Sequence, residues 1–254
     1  MVPLFAAVLR GLGYDFYFTG ARISSAMAGD AKDGPGYHGW SHLVLIVTIS
    51  GQKYVVDPQY IEITEPVLLD PQGKAITFDG IPTTTVRLRY CALSEIIPHR
   101  ASNSGLMTWL FELKRSSKDT WTPEYTFSTE TEWFLEDLPI MNVWLARAEE
   151  SYMVTKFIIK RMVLADEGDL KSRNSTGPGS RPSEKHGLLT VPAISGSVEL
   201  AHDTLTVFEY GKNAINEKIE TEMERLDIVK KWFGIALTEE EAKAVLSRPT
   251  SLRY

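Results

Sequence analysis

The stretch His42-Leu-Val-Leu-Ile-Val-Thr-Ile-Ser-Gly-Gln-Lys-Tyr-Val-Val-Asp57 constrains this chain more than any other part of it. It holds two runs rich in β-branched residues, 42–49 and 53–56, separated by Ser50-Gly51-Gln52. Branched side chains favour the pleated strand, and Ser-Gly is turn chemistry, so residues 41–57 read as a β-hairpin. Further short strand candidates surround it. They are 14–24, where YDFYF leads to Ala21-Arg22-Ile23, then 67–69, 75–78, 84–90 and 125–127. A Gly-rich loop covers 26–40. Several short strands punctuated by Pro and Gly predict a small barrel or curled sheet.

Helical signals flank that block. Leu4, Phe5, Val8, Leu9 and Leu12 recur at helical spacing, Pro3 suits a first turn, and Gly11 and Gly13 stop the helix. This helix, over 3–12, begins almost at Met1 with no element before it. Residues 130–164 carry helical character interrupted by Pro139. Residues 166–187 are polar and rich in Gly, Ser and Pro, the composition of a flexible insertion. Strand candidates follow at 188–200 and 204–210, then helical runs at 226–234 and 238–246. Thr238 with Glu241 three residues on is a capping box for the last of these.

Composition removes several classes of function. A single cysteine among 254 residues cannot close an intramolecular disulfide or build a multi-thiolate zinc site. A formal charge of −6 argues against nucleic-acid binding through a positive field. No apolar run approaches the length of a membrane span, and the start lacks a basic leader and a small-residue cleavage site. The expectation is a cytoplasmic enzyme or binding protein with no membrane or nucleic-acid partner. The sequence does not assign an oligomeric state.

Among chemistry-bearing residues, His42 and Asp57 stand out. They sit at the open ends of the two hairpin strands, where residues lie opposite one another, which sets His42 and Asp57 side by side. A carboxylate beside an imidazole fixes its tautomer and raises its basicity, as in a nucleophile–His–Asp triad. A structural strand-end pair is the other reading. His38 and His42 have the four-residue spacing of metal ligands, but Gly36 and Gly39 oppose a helix there and no third ligand is near, so no metal is expected. Cys91 lies at a strand end near Arg87 and Arg89, which would lower a thiol pKa. No motif surrounds it, and a small buried hydrophobe is the better reading. His99, His186 and His202 read as surface or structural residues. Trp109, Trp121, Trp133, Trp144 and Trp232 read as core anchors. No dinucleotide or phosphate-loop fingerprint is present.

The 42–57 segment resembles the central block of the arylamine N-acetyltransferase family: a His-Leu strand, a Gly turn and a Tyr-x-Val-Asp ending at the same His-to-Asp spacing. Leu4-Phe5 through Leu12-Gly13-Tyr14 is similar to that family's helix ending in Leu-Gly-Phe, and Ala21-Arg22-Ile23 to its Ala-Arg-Val strand. Tyr125-Thr-Phe127, Asn142, Ser151 and Trp232-Phe-Gly-Ile235 follow in the family's order. The resemblance implies an α+β fold of the cysteine-proteinase-like kind. Residues 1–13 would be a remnant of an N-terminal helical domain, 14–128 an antiparallel β-barrel, and 129–254 an α/β lid. It also implies a Cys–His–Asp triad that takes an acetyl or other acyl group from acyl-CoA. An arylamine, hydrazine or arylhydroxylamine then receives it. Acyl-CoA would be a cosubstrate with no bound cofactor, His42 the base and Asp57 its orienter. Some fungal members use other acyl donors.

Two departures shape the expectation. The family's Arg-Gly-Gly-x-Cys segment would fall a few residues before Met1 and is absent, and Cys91 is far off in the pattern. The family's Gly-Phe-Gly loop after the Asp is Pro58-Gln59-Tyr60 here, and losing glycines there would hinder close approach of a substrate. The chain thus reads as an N-terminally shortened member, inactive by the family route. Leu4, Val8 and Leu12 would lie exposed. A non-catalytic binding protein on the same fold is the alternative. An unrelated hydrolase using His42 and Asp57 finds no oxyanion-hole motif.

Overall fold

The computed structural model describes residues 2–28, 36–60, 62–63, 65–70, 72–79, 84–97, 105–115, 119–149, 151–165, 194–209 and 212–252. The chain divides into two compact units, Met1–Trp144 and Leu145–Tyr254. The first opens with helix α1 (Val2–Gly11), strand β1 (Asp15–Ile23) and the one-turn helix α2 (Ser25–Ala28). The hairpin follows as β2 (His42–Ile49) and β3 (Gln52–Val56). Ile49 pairs with Gln52, so the loop is Ser50-Gly51 alone, at φ 50° and 79°. Positive φ at both centres is the turn that matches strand twist, which is why a glycine is needed there.

Strands β4 (Val67–Leu68), β5 (Ile76–Asp79) and β6 (Thr85–Ala92), helix α3 (Leu93–Ile96), and strands β7 (Met107–Lys114) and β8 (Thr122–Phe127) continue the unit. Helix α4 (Asp137–Arg147) runs across the division between the units. The eight strands form one antiparallel sheet in the order β4-β3-β2-β1-β8-β7-β6-β5. Val67 and Leu69 at one end share a single core with Val86, Leu88, Ile76 and Phe78 at the other. The sheet therefore curls on itself as a barrel. Its inner face carries Ala21, Val44, Ile46, Val55, Phe111, Tyr125 and Phe127. Its outer face carries Phe18, Leu43, Leu45 and Val47 under α1, and Cys91 with Leu110 under α3.

Helix α1 seats Val2, Ala6, Phe5 and Leu9 on that outer face and leaves Leu4, Val8 and Leu12 at 73%, 51% and 69% exposure. Leu4, Val8 and Leu12 are thus exposed as expected, while Phe5 and Leu9 of the same apolar run pack beside Val2 and Ala6.

The second unit contains helix α5 (Tyr152–Thr155) and strands β9 (Ile158–Leu164), β10 (Ile194–Ala201), β11 (Thr204–Glu209) and β12 (Lys212–Lys218). They form an antiparallel sheet in the order β12-β11-β10-β9. Helix α6 (Glu222–Phe233) lays Val229 and Trp232 on its core, and helix α7 (Glu239–Ala244) follows. Thr221 and Glu224 form one capping box, Thr238 and Glu241 another, and Gly234 ends α6 at φ 69°. Helical character over 130–164 gives way to strand after Thr155. Branched Ile158, Ile159 and Val163 pair with β10 instead of continuing a helix. Pro139 lies in the first turn of α4, where a missing N–H costs nothing, and does not interrupt it. The expected insertion at 166–187 and the start of the expected strand at 188 lie outside the described residues.

Candidate active site

The hairpin register decides how His42 meets Asp57. Leu45 pairs with Val56, so continuing the ladder by one residue sets Asp57 against Val44, not against His42. The two are diagonal neighbours on the inner face, a distance that side chains of their length span. His42 Nε2 lies 2.5 Å from Asp57 Oδ2. The other carboxylate oxygen, Oδ1, accepts the Gln59 amide at 3.0 Å and the Tyr60 amide at 3.2 Å. Both oxygens of this fully buried side chain are therefore spent.

An ionised carboxylate only accepts, so the proton of the short bond belongs to Nε2. That leaves Nδ1 as the basic nitrogen. It has no hydrogen-bond partner among the described residues, and the side chain keeps 11% of its surface open. An imidazole with one nitrogen tied and the other open has a free basic atom that can accept a proton.

Tyr125 closes the back of the pair. Its ring lies 5.1 Å from the His42 ring and stacks on Phe111 at 4.9 Å. Its hydroxyl is buried without a well-formed partner, yet near enough to Asp57 that burial first, and then that carboxylate, push the phenol well above its ordinary range. It stays protonated. Two clefts of about 590 and 600 Å3 share Trp40, two residues ahead of His42. Trp40 carries the Arg22 guanidinium over its face at 4.0 Å and meets Trp133 edge-on. Trp133 in turn lies on Gly20, where a Cβ would overlap its ring.

Cys91 stands apart from all this. Tyr90 pairs with Trp109, which belongs to the inner core; Cys91 pairs with Thr108 and points to the outer face with Leu110. Alternation along β6 thus puts the sheet between the thiol and His42. Burial raises the Cys91 thiol, outweighing the Arg89 guanidinium that lowers it, so the expected activation by arginine is overridden. Arg89 and Arg87 instead bind Glu112, at 3.1 and 2.8 Å. His38 reaches the larger cleft, and His202 takes φ 54° in the turn after β10. His99 and His186 lie outside the described residues. Trp109 and Trp232 are buried core residues, whereas Trp144 remains 38% exposed.

Tyr60 of the Pro58-Gln59-Tyr60 loop meets a buried Glu124, a pairing no sequence pattern marks. The Tyr60 hydroxyl donates to Glu124 Oε2 inside the barrel. Pro123 signals only the local irregularity, because proline inside a strand marks an edge or a bulge. The ladder does shift there: Phe111 pairs with Tyr125 but Glu112 with Pro123, leaving Glu124 as the extra residue.

Comparisons with known proteins show the family and the fold. Residues 2–171 match the N-acetyltransferase family. The chain is 27% identical over 244 residues to the N-malonyltransferase FDB2 of Gibberella moniliformis, covering 93% of this chain and 63% of that protein. It thus spans somewhat under two thirds of the length of the curated relatives it matches. Its fold is similar to the arylamine N-acetyltransferase from Mycobacterium abscessus, with a TM-score of 0.69 at 18% identity over 98% of this chain and 71% of that one. It is likewise similar to the Mycobacterium marinum enzyme in complex with CoA, with a TM-score of 0.60 at 17% identity over 97% and 69%.

Proposed function

Because the chain belongs to the arylamine N-acetyltransferase family, we propose that it provides the base and orienter of an acyl-CoA-dependent N-acyltransferase for a small-molecule amine. The observation that carries this reading is the 2.5 Å bond from His42 Nε2 to Asp57 Oδ2, with Nδ1 left open. In the proposed reaction Nδ1 takes a thiol proton, and the thiolate attacks the thioester carbonyl of acyl-CoA. The imidazolium then protonates the departing CoA thiolate. The amine attacks the acyl-enzyme in turn and gives its proton to Nδ1, which passes it to the departing cysteine thiolate and regenerates the thiol. Asp57 holds the tautomer and stabilises the imidazolium throughout.

Cys91 does not serve as that thiol, being on the other face of the sheet. This reading needs a thiol that Cys91 does not supply. Acetyl and malonyl groups are both candidate acyl groups, the second because the curated relatives are N-malonyltransferases. The acceptor class proposed is an arylamine, hydrazine or arylhydroxylamine.

The test supplies the thiol. A chain extended so that an Arg-Gly-Gly-x-Cys segment precedes α1 is expected to form an acyl-thioester from acetyl-CoA or malonyl-CoA, seen as added mass on that cysteine. The acylation is expected to fall at least about a hundredfold with His42→Gln. The unextended chain is expected to acylate nowhere. Transfer by the unextended chain that Cys91→Ser abolishes overturns the dismissal of Cys91. A folded extended chain that takes up no acyl group favours the second reading, a binding protein without acyl transfer. What supports that second reading is the lack of any thiol beside His42 in this sequence.

A further inference from the structure

We infer that Tyr60 and Glu124 are a positioning pair for Asp57, and so act on His42 at one remove. The inference rests on the reading of His42 and Asp57 as a working base pair. Asp57 Oδ1 is held by the amides of Gln59 and Tyr60, so the carboxylate points where the 57–60 turn lets it. The Tyr60 amide also donates to the Asp57 carbonyl at 3.3 Å. The turn in turn depends on where the Tyr60 side chain is anchored. Its ring lies edge-on to Phe111 at 5.1 Å and to Tyr125 at 5.7 Å, and its hydroxyl is bound by Glu124.

The bulge makes this anchor possible. Strand side chains alternate between faces, so consecutive residues do not normally both point inward. The extra residue at Glu124 breaks the alternation, and both Glu124 and Tyr125 are buried, at 1% and 0% exposure. One serves Tyr60 and the other faces the imidazole. A carboxylate inside a barrel is costly, and apolar side chains at 60 and 124 would fill the space with less penalty. Arg115 Nη2 stands 3.7 Å from Glu124 Oε1, but its own side chain is 61% exposed, which weakens that compensation. What the pair adds over apolar packing is direction: an acceptor fixed by the strand, a donor fixed to the turn. Burial, then Glu124, keep the Tyr60 phenol protonated, so it always has the proton to give.

The readout is the tautomer of the His42 ring, from nitrogen NMR of the 254-residue chain, with His42→Gln assigning the signal among the five histidines. The native ring is expected as the Nε2–H form alone. Tyr60→Phe keeps the ring and removes the hydroxyl; a mixture of both tautomers is expected, with ring-proton exchange at least about tenfold faster. Glu124→Gln keeps a weaker acceptor, and a smaller shift in the same direction is expected. If the variants lower Tm but leave the native tautomer and exchange rate, the pair only fills the core and the inference falls. If Tyr60→Phe does not fold, Glu124→Gln alone decides. No acyl transfer enters this measurement, so its failure is separate from that of the thioester test.

Discussion

Each unit of this molecule holds a buried carboxylate against a nitrogen-bearing side chain, and the two are finished differently. In the second unit Arg225 and Glu222, both at most 2% exposed, face each other through two bonds of 3.0 and 2.5 Å. The remaining Arg225 nitrogen bonds the carbonyls of Thr250 at 2.8 Å and His202 at 3.4 Å, and the guanidinium lies over the Phe157 ring. Glu222 takes the Leu252 amide as well, at 3.1 Å. Every polar atom is spent, which makes this a clamp on the chain between 250 and 252. In the first unit Asp57 is equally spent, but His42 keeps Nδ1 open. The two pairs differ in what is left over: the clamp has no polar atom unspent, and the His42–Asp57 pair has Nδ1, the atom on which the proposed function depends.

The comparison breaks most visibly at the clamp. Arg225→Met strands the Glu222 carboxylate and is expected to cost about 3–5 kcal/mol, read by denaturant unfolding. Asp57→Asn should be gentler, about 1–3 kcal/mol, because the amide oxygen still accepts while its amino group opposes the two backbone donors. Its larger effect should be on chemistry: loss of the single His42 tautomer and, in a cysteine-extended chain, of thioester formation. A native clamp together with a changed ring is the outcome that sharpens the contrast.

Cys91 offers a third test. Its raised pKa means less thiolate at neutral pH, and its 4% exposure limits access. Alkylation at pH 7 should be at least about tenfold slower than in the urea-unfolded chain. Fast labelling in the native state would contradict its placement under α3.

The smallest effect lies at the start of α6. The Glu224 carboxylate accepts the amides of Glu220 and Thr221, which hold its pKa below the ordinary 4.5. A depressed carboxylate stabilises fully above its unfolded pKa and stops doing so as pH falls through its folded one. Helical signal from α6 should therefore weaken only below about pH 4.5, and Thr221→Ala, worth ~1 kcal/mol, should move its onset upward.

The hairpin was readable because its signals are local: β-branched runs, a Ser-Gly turn, and a His and an Asp at the ends. Its register was less so. Their end positions suggest that His42 and Asp57 are directly opposite, but the two-residue loop, fixed by backbone dihedrals, makes them diagonal. Strands β7, β9 and β12 were not legible, since their identity comes from pairing with distant partners more than from propensity. MTWLFELK buries six successive residues, 108–113, and so lacks the alternation that marks a half-buried strand. Tyr60 and Glu124 were invisible as a pair for the same reason, being 64 positions apart. Cys91, by contrast, was correctly read as a small buried hydrophobe, since nothing about it required a partner.

The extra residue at Glu124 makes the candidate site sensitive to insertion and deletion as well as to substitution. Removing one residue between Pro123 and Tyr125 would restore regular pairing with β7 and leave the composition of β8 almost unchanged, yet only one of the two inward side chains would remain. Part of what specifies this site is therefore a count of residues, which position-by-position scoring of side chains would pass over.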